Sequence, residues 1–92
     1  MNLNYCEEVM SSLEEKMGDR DKGLLTLYAL LVLSKGSETS CEDVHDAWSG
    51  WMNLVNPEHK HLVPFNELPE MVQAYDEFFR DAILEVANGR SH

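Results

Sequence analysis

The side chains able to do chemistry gather between Cys41 and Phe79, in the segment CEDVHDAWSGWMNLVNPEHKHLVPFNELPEMVQAYDEFF. His45, Trp48 and Trp51 recur at three-residue steps, the spacing of one helix face. His59 precedes the run Leu62-Val63-Pro64-Phe65, and Tyr75 follows it. Aromatic faces hold planar ligands by stacking, while imidazoles at a rim read the ligand's polar edge. His45, Trp48, Trp51, His59, Phe65 and Tyr75 are therefore the candidate ligand-binding residues. Trp48 shares its face with Val44 and Val55, so it is also expected in the core. Trp51→Ala is expected to abolish binding and leave the fold intact.

Two sharper chemistries are weaker. Cys41 and His45 lie four residues apart, and His59 and His61 follow in a loop, which suggests zinc ligands. The spacing fits no finger pattern, and Glu58-His59-Lys60-His61 reads as a solvated loop. No metal and no cofactor are expected. His45 beside Asp43 or Asp46 could be drawn as a base and its orienter, but near neighbours on a helix face apart. No nucleophile elbow, zincin, phosphate-loop or dinucleotide motif is present, so the chain is not expected to be an enzyme.

The elements that must position these residues are helical. Residues 4–17 place Cys6, Val9, Met10, Leu13 and Met17 at amphipathic spacing, with glutamates opposite and Gly18 as the stop. That stripe could serve a partner or self-association; docking on the domain's own core is expected. Asp19 to Gly23 reads as a polar loop. GLLTLYALLVLSKG is apolar nearly all round and long enough for a central helix, so Leu30→Asp is expected to unfold the domain. Thr39-Ser40-Cys41-Glu42 matches a capping box opening a third helix, which Gly50 weakens and Asn56-Pro57 ends.

Leu62 to Phe65 is extended by Pro64 and is expected to lie over the helices as a hydrophobic clamp. Asn66 suits a cap and Pro69 a first helical position. Leu68, Met71, Val72, Tyr75, Phe78, Phe79, Ala82, Ile83 and Val86 carry a last helix to Gly89, with a break near Tyr75-Asp76 and a frayed tail from Gly89 to His92.

Composition bounds the partners. The 92 residues carry a net charge of −10, from 17 acidic and 7 basic side chains that form no patch. Direct nucleic-acid binding is disfavoured, because it needs clustered Lys and Arg. The acidity favours solubility and a basic partner. Cys6 and Cys41 are too few and too far apart for a disulfide framework, which fits a reducing compartment. The N-terminus lacks a basic and apolar leader, and the run from Leu24 to Leu33 is too short for a membrane span. A cytoplasmic protein with no membrane contact is expected.

Two resemblances rest on these residues. His45-x-x-Trp48, His59-x-x-Leu62-Val63-Pro64-Phe65, Glu67-Leu68-Pro69 and Tyr75-Asp76 together resemble the ryanodine-receptor repeat domain, over residues 41–88. Leu27-Tyr28-Ala29-Leu30-Leu31, Lys35-Gly36 and Glu42-Asp43-Val44-His45-x-Ala47-Trp48 are similar to an uncharacterised family of small actinobacterial and mycobacteriophage proteins. The first resemblance implies a non-catalytic module for nucleotide-like ligands or interfaces. The second implies a phage origin, hence a host cytoplasm.

The expected fold is all-α: one domain over 1–92, with an amphipathic helix within 1–20, about four helices, and an irregular LVPF loop over the third and fourth. The expected function is non-enzymatic binding of a small ligand or a peptide in the aromatic cleft. The alternative is an acidic protein that binds and modulates a host protein, with homodimerisation left open.

Overall fold

The computed structural model describes residues 4–90, which form four α-helices: α1 (Tyr5–Met17), α2 (Lys22–Ser34), α3 (Cys41–Val55) and α4 (Glu70–Arg90). Two 3₁₀ turns, Gly36–Glu38 and Phe65–Glu67, lie in the connections, and no strand occurs among the described residues.

Each of the first three helices starts where a side chain takes up orphan backbone donors. The Asn4 side-chain Oδ1 accepts from the Glu7 backbone amide at 2.9 Å, and the Glu7 carboxylate accepts in return from the Asn4 backbone amide. Asp21 Oδ1 accepts from the amides of Gly23 and Leu24. The capping box of α3 lies one residue later than Thr39…Glu42: it is Ser40 with Asp43. Thr39 is buried, with its hydroxyl donated to the Gly36 carbonyl at 2.8 Å. A buried hydroxyl needs its own partner, so the next exposed Ser takes the cap. Gly18, at φ 81°, closes α1 with a conformation few other residues tolerate.

α2 is central and packs on α1, α3 and α4. The core holds Val9 and Leu13 of α1, Leu25, Tyr28 and Ala29 of α2, Val44 of α3, and Ile83 of α4. Leu30 is 56% exposed, so its expected place in the core is corrected. An all-round apolar helix still turns one strip outward when only three neighbours cover it.

α4 is continuous through Tyr75-Asp76 and through Gly89, without the expected break or early end. It starts immediately after Pro69, whose carbonyl accepts from the amides of Val72 and Gln73. Asn66 lies inside a 3₁₀ turn and caps nothing there. Ser91 and His92, part of the expected frayed tail, lie outside the described residues.

Candidate functional site

The stretch from Asn56 to Leu68 crosses from the end of α3 to the start of α4, and side chains of both helices fasten it. Gln73 Nε2 donates to the carbonyls of Phe65 and Leu68, each at 3.1 Å. From α3, His45 Nε2 donates to the Val63 carbonyl at 2.6 Å, with Ser49 Oγ 3.4 Å from the same nitrogen. Across the ring, His45 Nδ1 lies 3.7 Å from Asp76 Oδ2 of α4. Both residues are buried, His45 to 2% and Asp76 to 7% exposure. Asp76 Oδ2 has no hydrogen-bond partner, and burial pushes its carboxyl up to about 6 against the pull of His45.

Aromatic rings close around His45. Trp48 stacks on it with centroids 5.6 Å apart, Phe65 leans on it at 6.4 Å, and His59 meets the edge of Trp48 at 5.1 Å. Four of the six candidate residues, His45, Trp48, His59 and Phe65, are therefore one contact cluster. Trp51 and Tyr75 are elsewhere. Trp51 Nε1 donates to Asp21 Oδ1 at 3.0 Å, and its ring lies over Gly23, so it braces the start of α2.

Tyr75 belongs to a second surface. Met71, Tyr75 and Phe78 are four and seven residues apart on one face of α4, at 78%, 66% and 50% exposure. With Ala74, Phe79 and Arg20 they line an open recess of about 490 Å³. The Arg20 guanidinium sits 5.2 Å over the Phe79 ring, which stacks on buried Tyr28. The same stripe is buried further along, at Ala82 and Val86. It is open at its first half because α1 reaches its end at Met17.

A family model matches residues 4–88, a span that takes in α1 to α3 whole and nearly all of α4. The chain belongs to the family described as a domain of unknown function, DUF7701. No curated protein and no solved structure matches it. Membership fixes the family's extent over the four helices and assigns it no activity.

The order Ser49, His45, Asp76 has the connectivity of a nucleophile, base and orienter. The Val63 carbonyl decides against that use. It takes the Nε2 proton at 2.6 Å, so Nε2 has no free lone pair with which to take a proton from Ser49. Among the described residues no group of three His, Cys, Asp or Glu side chains is placed to hold a metal. Cys41 and His61 thus join no ligand set, and no described helix is long and apolar enough to cross a membrane.

Asp76, Gln73, Asp21 and the exposed face of α4 are the residues that sequence reasoning missed. One signal was present: eleven apolar positions from Leu68 to Val86 are more than one buried face of a helix holds. Nothing local distinguished Asp76 from its exposed acidic neighbours.

Proposed function

We propose that this domain is a non-enzymatic protein-binding module, whose α4 face of Met71, Tyr75 and Phe78 receives a basic amphipathic helix of a partner protein. The observation that carries the reading is that row of three large apolar side chains, exposed together on a surface otherwise rich in charge. Positions four and seven apart span about 10 Å of helix and suit three anchors of a helix lying alongside.

Charge selects the partner's sign. Glu70 and Glu77 are exposed and border the stripe, and the whole chain carries −10. A second copy would bring the same charge to the contact, whereas a basic helix would be drawn to it. A phage origin rests on the sequence resemblance alone and would make the partner a host protein in the cytoplasm.

The small-ligand reading of the aromatic cluster has less support. His45 is buried and its ring nitrogens already face Val63, Ser49 and Asp76.

The test uses a fluorescent Lys/Leu amphipathic peptide of about 14 residues, four helical turns. Controls are a Glu/Leu peptide of the same pattern and a scrambled Lys/Leu peptide. The expected result is preferential binding of the patterned basic peptide, reduced at least about tenfold by Tyr75→Ala or Phe78→Ala, a loss of about 1.4 kcal/mol. Leu54→Ala, at an exposed apolar residue on α3, should leave binding unchanged. Equal binding by all variants, or sedimentation as a dimer that Phe78→Ala dissociates, would overturn the reading.

A further inference from the structure

The His45 to Asp76 contact is buried, joins two helices, and hydrogen-bonds the loop through one backbone carbonyl, that of Val63. The Val63 oxygen can only accept, so His45 Nε2 carries a proton whenever that bond is formed. What varies is the space between Nδ1 and Asp76 Oδ2, 3.7 Å apart. With no proton there, a lone pair faces a carboxylate whose Oδ2 has no other partner. With one proton the contact is favourable, either as imidazolium with carboxylate or as imidazole with carboxylic acid. With two, a buried cation loses its counter-charge.

We propose that His45 and Asp76 form a one-proton clasp that fastens the Asn56–Leu68 loop to α3 and α4, and that loss of that proton at rising pH releases the loop. Removing the proton turns an attraction into a repulsion beside a loop held to α3 by the Val63 bond. The ring then turns away from Asp76 and the Val63 carbonyl loses its donor.

Other titratable and charged groups surround the clasp. Tyr28 faces Asp76 from α2, with Arg20 beyond it. Cys41 of α3 stands near Asp76 and near Arg80, Glu77 and Asp81 of α4. His59 of the loop meets the edge of Trp48, which stacks on His45, and His61 and Lys60 lie beside it. Arg80 already pairs with Asp81 at 2.9 Å. None of these groups makes a hydrogen bond or ion pair with Asp76 Oδ2. The clasp therefore depends on its own two members.

The test is nitrogen NMR of the imidazoles from about pH 5 to 9, the range over which histidine titrates, with hydrogen exchange of the His61 and Leu62 amides in the same samples. His61 N donates to His59 Nδ1 and Leu62 N to the His59 carbonyl, so both amides report the loop. After correction for intrinsic exchange, their protection should fall about tenfold once the proton between His45 and Asp76 is lost.

In Asp76→Asn the amide can donate to Nδ1 of neutral His45, and protection should stay high at every pH. His45→Gln keeps a donor for Val63 without a second titrating nitrogen, and should also remove the pH dependence. Constant protection across the His45 titration in the wild-type protein would overturn the proposal. So would an Asp76→Asn profile equal to that of the wild type.

Discussion

Asp76 is a carboxylate on a buried turn of α4, and its cost depends on its proton. Its folded value, near 6, lies above the ordinary 3.8, so the folded state holds the proton more tightly than the unfolded chain. The stabilisation is complete below about pH 4 and is lost as pH rises through 6. Asp76→Asn should therefore gain stability relative to the wild type by roughly 2–3 kcal/mol between pH 4 and pH 7, because the variant buries no charge. Urea unfolding of both proteins at the two pH values measures this. Trp51 makes a different kind of contribution, one indole hydrogen bond to the carboxylate that caps α2. Trp51→Phe keeps most of the ring and removes the donor, so a loss of about 1 kcal/mol is expected from the same measurement. Its spacing with Trp48 read equally well as a binding face, because sequence spacing places a side chain on a face without saying what lies opposite.

The helices follow from local signals, and their exposed and buried strips from packing. Gly50 lies inside α3 on its solvent side, and a methyl group there would meet nothing within 4 Å. Gly50→Ala should raise stability by about 0.5–1 kcal/mol through the helix preference alone, read as a higher melting temperature. α2 offers the sharper contrast. Leu25 is buried and Leu30 exposed, although both sit in one run whose sole polar residue is Thr26. Leu25→Asp should cost about 3 kcal/mol or more, and Leu30→Asp less than about 1, as circular dichroism melting would record. The expectation that Leu30→Asp unfolds the domain followed from the apolar run, which has no polar face to reveal the outward strip. In α4 the surplus of apolar positions was visible, but which half lay open depended on where α1 stopped.

At the scale of the molecule, 17 acidic side chains against 7 basic ones repel one another across a domain with a radius of gyration of 13.1 Å. The screening length falls from about 30 Å at 0.01 M salt to about 10 Å at 0.1 M, so added salt should shield that repulsion. Melting temperature should rise by several degrees over that range, since about 1 kcal/mol moves a domain of this size by 4–8 °C. A melting temperature that falls with salt would mean that local pairs such as Lys16 with Glu85, at 3.1 Å, outweigh the net charge. The sequence by itself determined the all-α class, the four helices within a few residues and the acidic character. These depend on periodicity, capping residues, proline and charge, all of which act over a few residues. Tertiary structure decided that His45 meets Asp76, 31 positions away, that Trp51 braces Asp21, and that Tyr75 faces solvent with Met71 and Phe78. Those facts depend on which helix covers which face, and no local pattern encodes where a neighbouring helix ends.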